Sequence, residues 1–150
     1  MKTLLILVSY HHKNTQKIAD VFAKILEAQI KTPKQTNPED LQQYDIVGFG
    51  SGIYFGKHHK ELRVFVDKLP LAVNKKVFIF STSGNTRNGL KLHMSLKKKL
   101  ASKGYTIVGE FNCAGFDTFG LLNLVGGIKK GKPDAEDLRR AEDFAEKLRA

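Results

Sequence analysis

The chain has 150 residues, one cysteine (Cys113) and a formal net charge of +10 at neutral pH. This length predicts a single domain over residues 1–150, large enough to bury a core without metal or disulfide. One cysteine excludes an intramolecular disulfide. The opening residues contain neither a signal peptide nor an apolar stretch long enough to span a membrane. We therefore expect a cytoplasmic protein.

The excess of lysine and arginine narrows the choice of partners but does not decide it. A positive surface attracts acidic proteins, nucleic acid and anionic membranes alike. The basic residues are spread along the chain, for example over 57–63, 97–99 and 129–132, and no aromatic-rich strand alternates with them as in an RNA-binding sheet. The sequence therefore argues against nucleic-acid binding as the primary role.

Four nearly continuous apolar runs are typical of strands that helices cover on both faces. They lie at residues 3–9, 45–51, 76–82 and 106–112, and a weaker fifth run at 29–32 is limited by Pro33. Apolar stripes at helical spacing lie between and after these runs. The stripes are Ile18, Val21, Phe22, Ile25 and Leu26; Leu62, Phe65, Val66 and Leu69; Leu92, Leu96 and Leu100; and Leu138, Ala141, Ala145 and Leu148.

This alternation of strand and helix predicts an α/β fold, a parallel sheet with helices on both faces. Ligands of such sheets bind outside the carboxyl ends of the strands, where the strand order reverses. Three polar loops leave those ends, at residues 9–14, 51–59 and 82–89. The first also opens a helix, whose N-terminal amides and dipole favour an anion such as phosphate.

Other phosphate-binding folds lack their signatures here. Neither G-x-x-x-x-G-K-[ST] nor G-x-G-x-x-G follows the first strand. A phosphate-accepting receiver domain needs carboxylates at the end of that strand, where this chain has Ser9 and Tyr10.

Four segments in order resemble the flavodoxins and flavodoxin-like flavoproteins in their short form. They are Asn14-Thr15 at the start of the first helix, G-S-G-I-Y-F-G at 50–56, S-T-S-G-N at 81–85 and G-F-D-T-F-G at 115–120. The resemblance covers essentially the whole chain. It implies a flavodoxin-like three-layer sandwich with a five-stranded parallel sheet of order 2-1-3-4-5, which binds FMN noncovalently and carries low-potential electrons between redox partner proteins.

The opening loop departs from the family pattern, which commonly reads T/S-x-T-G-N-T. Lys13 stands where glycine is usual, His12 where a hydroxyl is usual, and Tyr10 at the first hydroxyl position unless Ser9 takes that role. The resemblance implies phosphate contacts from Asn14 and Thr15. Ser9, His12 and Lys13 are either further phosphate contacts or solvated loop residues.

The second loop is expected to lie against the flavin ring, with Tyr54 and Phe55 stacking on it. Main chain would approach the ring at Ser51, Gly52, Ile53 and Gly56. The resemblance also implies a peptide that turns over on reduction and needs a positive φ, for which Gly56 is the first candidate and Gly52 the second. The alternative is a tight surface turn whose two aromatics pack on the core.

The third loop is expected to serve the pyrimidine edge of the ring through the amides of Thr82, Ser83, Gly84 and Asn85. A later segment containing Phe116, Asp117 and Phe119 either closes the other side of the pocket or anchors a long loop to the core.

His58, His59 and His93 do not have metal-ligand spacing, since adjacent histidines on a helix would point to different faces. Cys113 has no C-x-x-C partner and is expected to be a buried structural thiol.

We therefore expect an FMN-binding electron carrier without its own nucleophile or acid–base pair, because the flavin supplies the chemistry. Its redox partners would present acidic faces, since this charge is opposite in sign to that of typical flavodoxins. One alternative is an FMN-dependent oxidoreductase that reduces a quinone or another small molecule in the same pocket. A second is a cofactor-free interaction domain on the same fold.

Overall fold

A computed structural model describes residues 1–10, 13–84, 89–115 and 131–150. Within these residues no helix is long and apolar enough to cross a membrane. The strands are β1 (Thr3–Val8), β2 (Gln29–Lys31), β3 (Ile46–Tyr54), β4 (Lys57–His58), β5 (Lys75–Ser83) and β6 (Tyr105–Ala114). The α-helices are α1 (Asn14–Leu26), α2 (Lys60–Asp67), α3 (Met94–Ser102) and α4 (Ala135–Arg149). Short 3₁₀ helices span Pro33–Gln35, Pro38–Gln43 and Gly89–His93.

The sheet has the order β2-β1-β3-β5-β6, and all neighbours along this path are parallel. Counted without β4, which pairs antiparallel with β3, the five strands have the predicted order 2-1-3-4-5. The prediction of a flavodoxin-like sandwich is therefore confirmed. The weakest predicted strand, β2, is also the shortest of these five, since the chain turns into a 3₁₀ helix at Pro33.

The two faces of the sheet carry different cores. One face, covered by α1 and α4, is called the aromatic face here because phenylalanine dominates it. Phe22 contacts its other phenylalanines, which are Phe78, Phe80, Phe111 and Phe144, at ring-centroid distances of 5.1–5.8 Å.

The opposite face, covered by α2 and α3, has a mainly aliphatic core. It is called the histidine face here because His58 and His93 are buried beside this core, with their rings 5.0 Å apart. Ser81 and Asn112 lie on this face at the carboxyl ends of β5 and β6, where they are paired in register.

A bulge in β6 determines which of its side chains reach the histidine face. Val77 pairs with Ile107, but the next residue of β5, Phe78, pairs with Gly109, so Val108 is an extra residue. Side chains alternate along a strand, and one extra residue reverses the alternation beyond it. The bulge thereby places Glu110 on the histidine face, opposite Ile79.

Candidate functional site

The first loop starts where the buried strand β1 ends. Ser9 Oγ accepts a hydrogen bond from the backbone N–H of Gln16 at 3.1 Å, so this side chain caps the first turn of α1. Lys13 is exposed and has φ 51° and ψ 39°, the left-handed conformation. The position where the family pattern has glycine therefore keeps a glycine-like backbone although lysine occupies it.

Two close contacts bring the first loop to the ends of β5 and β6. Thr15 is buried, and its Oγ1 lies 2.8 Å from Oγ1 of Thr82. A Cβ on Gly115 would lie 2.7 Å from Nδ2 of Asn14, so only glycine allows this approach. The Thr15 hydroxyl is hydrogen-bonded to Thr82 inside the protein. The backbone N–H of Thr15 is therefore better placed than its side chain to contact a phosphate.

The second predicted loop is instead a β-hairpin. β3 continues to Tyr54, three residues beyond its predicted end, and Tyr54 pairs with Lys57 of β4. The two residues between them, Phe55 and Gly56, have φ values of 52° and 78°. Positive φ at both central positions is typical of a type I′ turn, whose twist matches that of the strands it joins.

The hairpin presents Phe55 at its tip, with 89% of the residue's surface exposed. The alternative in which both aromatics pack on the core is therefore wrong for Phe55. Gly56 has the positive φ expected of the peptide that turns over, whereas Gly52 lies inside β3, pairs with Thr82 and does not have one. Ile53, paired with His58, is half-buried.

The base of the hairpin is held by Ser51 and His59. Ser51 is buried; its hydroxyl donates to the carbonyl of Gly52 at 2.6 Å and accepts the N–H of His59 at 2.9 Å. The His59 ring lies edge-on to Tyr54 and Tyr10, at 5.0 and 5.3 Å between centroids. The first and second loops therefore share one aromatic contact at the sheet edge.

The third loop begins at the carboxyl end of β5. Thr82 and Ser83 are buried, and Gly84 is half-buried. The carbonyl of Ser83 accepts the N–H of Gly115 at 3.1 Å, which ties this loop to the end of β6. The other predicted contacts, His12, Asn85, Phe116 and Asp117, lie outside the described residues, as does Phe119.

Sequence reasoning missed the partnership of His58 and His93. His58 is on β4, not on a helix, and its Nε2–H donates to the carbonyl of Phe80 at 3.0 Å. Burial, aided by the charge of His93, lowers the pKa of His58 to about 3. His59 caps α2 by accepting the N–H of Glu61 at Nδ1. No signal in the sequence pairs positions 35 residues apart across two elements.

His93 joins the polar side chains at the ends of β5 and β6. Its Nε2 lies 2.7 Å from Ser81 Oγ, and its Nδ1 lies 3.2 Å from Glu110 Oε1. Lys97 Nζ lies 3.0 Å from the other oxygen of Glu110. Burial, aided by the positive charge of Lys97, lowers the pKa of His93 to about 4, so this ring is neutral at pH 7.

Cys113 is buried on the aromatic face, as predicted. Burial, aided by the charge of Asp137, raises the pKa of its thiol to about 12, so it is not a thiolate at neutral pH. Among the described residues, no group of three or more histidine, cysteine, aspartate or glutamate side chains could hold a metal ion.

The donor set at this edge suits a phosphorylated, flat, conjugated ligand. The N-terminus of α1 has no acidic residue in its first turn and has Lys13 before it, so its electrostatics favour an anion. The hairpin adds exposed aromatic surface for a ring, and the end of β5 adds polar groups for its heteroatoms. Bonds between Thr15 and Thr82 and between Ser51 and His59 hold these parts together.

A model of the flavodoxin domain matches residues 5–115. The chain belongs to the flavodoxin family. It is 46% identical over 148 residues to an uncharacterised protein of Methanocaldococcus jannaschii, covering 99% of this chain and 98% of that one.

Solved structures agree on the fold. A flavodoxin from the domain Archaea aligns with a TM-score of 0.72 and 17% identity, covering all of both chains. Oxidised flavodoxin 2 of Bacillus cereus aligns with a TM-score of 0.71 and 21% identity, covering 97% of this chain and 95% of that one. A general stress protein 14 of Treponema denticola, solved in complex with FMN, gives 0.70 and 10% identity, with 99% of each chain covered.

Proposed function

We propose that the chain binds FMN noncovalently at the carboxyl edge of its sheet and carries electrons between redox partner proteins. The observation that carries this proposal is the convergence of three loops on one site. The first loop supplies an anion-favouring helix N-terminus, the hairpin an exposed aromatic turn with positive φ at Gly56, and β5 a polar end bonded to Thr15. Family membership supports the same ligand.

Each part of the site has a role in this proposal. The N-terminus of α1, with Ser9 and Lys13 beside it, would hold the phosphate. Tyr54 and Phe55 would cover one face of the ring, and the segment Thr82–Gly84 would bond its polar edge through main chain. Bound FMN would supply the electron-transfer chemistry, while the protein sets its orientation and exposure.

A carrier needs no acid–base group of its own beside the ligand, because the bound flavin supplies the chemistry. His58, His93 and Cys113 are each buried, with at most 2% of their surface exposed. Phe55 is exposed and Tyr54 is half-buried, so electrons would reach a ring beside them without a deep substrate channel.

The visible spectrum of the purified protein tests the cofactor. We expect a yellow protein that releases FMN on denaturation, or takes up added FMN where purification has removed it. Riboflavin, which lacks the phosphate, should bind at least about tenfold more weakly because each charge-assisted hydrogen bond is worth roughly 1.5–3 kcal/mol. A colourless protein that takes up neither compound would refute the proposal in favour of a cofactor-free domain.

Replacing the aromatics of the hairpin tests where the ring lies. The double variant Tyr54→Ala and Phe55→Ala should bind FMN more weakly, since each stacked ring contributes about 0.5–1.5 kcal/mol beyond its area. The matched control replaces Leu71 and Val73, two exposed apolar residues just before β5 at the opposite edge of the sheet. Equal FMN dissociation constants for the two double variants would place the ring elsewhere.

Turnover with small molecules separates the carrier from the alternative enzyme. A carrier should oxidise NADH or NADPH slowly in the presence of a quinone unless a separate reductase is added. Rapid oxidation by the purified protein alone would favour the quinone reductase instead.

The charge of the surface beside the hairpin supports the proposal of an acidic redox partner. A cavity of about 420 Å³ there is lined by Tyr54, Phe55, Lys57, His58, His59, Lys60 and Arg63. Three of these side chains are cations and none is a carboxylate. A partner with carboxylates around an apolar centre would therefore match this surface in charge and in polarity.

Charge reversal tests the partner. With a reduced acidic redox protein as electron donor, Lys57→Glu with Lys60→Glu should slow second-order electron transfer by about tenfold at low salt. The matched control reverses Lys24 and Lys147, which are exposed near the far ends of α1 and α4. A rate that is equal in both variants, or that does not fall with added salt, would contradict this partner chemistry.

A further inference from the structure

A hydrogen-bonded chain runs from the carboxyl ends of β5 and β6 to the protein surface. Asn112 Nδ2 lies 2.7 Å from Ser81 Oγ, which lies 2.7 Å from Nε2 of His93. Nδ1 of His93 lies 3.2 Å from Glu110, and Glu110 lies 3.0 Å from Lys97. The chain begins beside the segment Thr82–Gly84, since Nδ2 of Asn112 is also 3.4 Å from Oγ of Ser83.

Donors and acceptors along this chain can be assigned. Glu110, paired with Lys97, is an acceptor, so Nδ1 of His93 carries the hydrogen. In the neutral ring Nε2 must then accept from the hydroxyl of Ser81, which in turn accepts from the amide of Asn112. All donation therefore runs in one direction, from Asn112 towards Glu110.

The order serine, histidine, glutamate is also that of a hydrolytic triad, but burial excludes that role here. Ser81 and His93 are both 0% exposed, so a substrate cannot reach the serine oxygen. What remains accessible is the far end of the chain, where Glu110 is 18% and Lys97 is 36% exposed.

We propose that, in mildly acidic solution, His93 binds a proton when negative charge arrives beside residues 82–84, as it does when a flavin held there is reduced. This inference rests on the proposed function. An external reductant supplies the electrons to the flavin, and water supplies the proton, which goes to Nε2 of His93. The positive ring then partly neutralises the new negative charge, so His93 acts as a positioning residue for charge and does not touch the ligand.

Proton binding at Nε2 requires the direction of donation along these hydrogen bonds to reverse. Nε2–H would donate to Ser81, and the hydroxyl of Ser81 would need a new acceptor. Asn112 provides one if its side-chain amide turns over and presents Oδ1 to Ser81. Gly89 leaves room beside this amide, since a Cβ there would lie 2.4 Å from Oδ1.

The charged groups around His93 have opposite effects on its protonation. Glu110 from β6 stabilises the protonated ring, whereas Lys97 from α3 and His58 from β4 disfavour it. Opposite charge nearby raises the pKa of a histidine, so an anion at the sheet edge shifts this balance towards proton binding. By linkage, protonated His93 favours reduction by the same factor as reduction favours protonation.

Histidine NMR of the FMN-bound protein tests the redox link without measuring activity. The Cε1–H signal of His93 should titrate about one pH unit higher after reduction by dithionite than in the oxidised protein, which is tenfold tighter proton binding. A tenfold change corresponds to about 59 mV in a one-electron potential. The one-electron reduction potential of the flavin should rise by this amount over the same pH window. His93→Gln should abolish this rise. Equal midpoints in the two redox states would overturn the proposal.

Variants of Asn112 test the reversal in the FMN-free protein. Asn112→Asp supplies a permanent acceptor for Ser81 and should raise the pH midpoint of the His93 titration. Asn112→Leu removes the acceptor and should lower this midpoint. The carboxylate of Asn112→Asp also adds a negative charge, which raises the midpoint by itself, so Asn112→Leu is the variant that tests the reversal, and a midpoint that it leaves unchanged would overturn the reversal. A protein that binds no FMN would refute the proposed function and the redox link together, but these two variants would still report on the chain.

Discussion

The aromatic and histidine faces of the sheet are both buried, yet different interactions fill them. Phe22 packs its whole ring among four other phenylalanines of the aromatic face. On the other face, the aliphatic core gives way near the carboxyl ends of the strands to His58, His93 and their partners. Burial of apolar area does not depend on pH, whereas burial of a titratable ring does. The core of the aromatic face should therefore respond to acid less than the histidine face does.

The largest expected effect comes from the aromatic face. Phe22→Ala should lower the free energy of unfolding by about 3–5 kcal/mol, because it removes a fully buried ring and leaves a cavity. The matched control is Phe55→Ala, which truncates a residue that is 89% exposed and should change stability by less than about 0.5 kcal/mol. Urea unfolding of the FMN-free proteins at pH 7 measures both. Similar losses in the two variants would contradict the assignment of Phe22 to the core.

The histidine face should make the protein sensitive to acid. The pKa values of His58 and His93 in the folded protein are about 3 and about 4, below the value of about 6.5 expected for the unfolded chain. The unfolded state therefore takes up protons first, and stability falls as the pH drops from about 6.5 towards these folded values. Each histidine should contribute a loss of about 1.4 kcal/mol per pH unit.

Urea unfolding between pH 7 and pH 5 measures this slope. The groups that face His58 are His93 and Arg63, both of which disfavour its charged form. His58→Gln removes one titrating ring and should lower the slope by less than half, because burial lowers the pKa of His59 as well, while Phe55→Ala should leave the slope unchanged. A slope that survives in His58→Gln at its full value would show that other groups cause the acid sensitivity.

A smaller effect is expected from the hydrogen bond between Thr15 and Thr82 on the aromatic face. Thr15→Val keeps the shape of the side chain but leaves the buried hydroxyl of Thr82 without its partner. The coupling free energy in a cycle of Thr15→Val, Thr82→Val and the double variant should be about 1 kcal/mol. Additive losses would mean that the two hydroxyls do not stabilise one another. The single variants should also weaken FMN binding, because this bond joins the first loop to the third.

The parallel strands and the four α-helices of the described residues could be predicted from the sequence because their signals are local. Continuous apolar runs marked the four long strands, and each helical stripe lies on a helix or at its ends. The weak β2 was also expected near Gln29, with Pro33 limiting it. The family resemblance implied the strand order 2-1-3-4-5, and the carboxyl edge of the sheet was predicted as the place of the candidate site.

The conformation of the second loop could not be predicted from the sequence alone. Its glycine and aromatic content indicated a turn, but the sequence did not show that Lys57 and His58 would pair back onto β3. This pairing takes His58 off the helix on which it was expected and buries it beneath the sheet edge. Backbone pairing across a two-residue turn depends on the φ values of Phe55 and Gly56, and phenylalanine is not a residue that signals positive φ.

The sequence by itself determined the alternating elements, the two-sided burial of the sheet and the polar loops at its carboxyl edge. It did so because periodicity and turn residues act over a few positions. Only the tertiary structure decided that Glu110 and Asn112 share a face with Ser81 and His93. That outcome depends on one extra residue, Val108, in β6, which reverses the side-chain alternation beyond it. A bulge is set by pairing with the neighbouring strand, so its position is a property of the folded sheet.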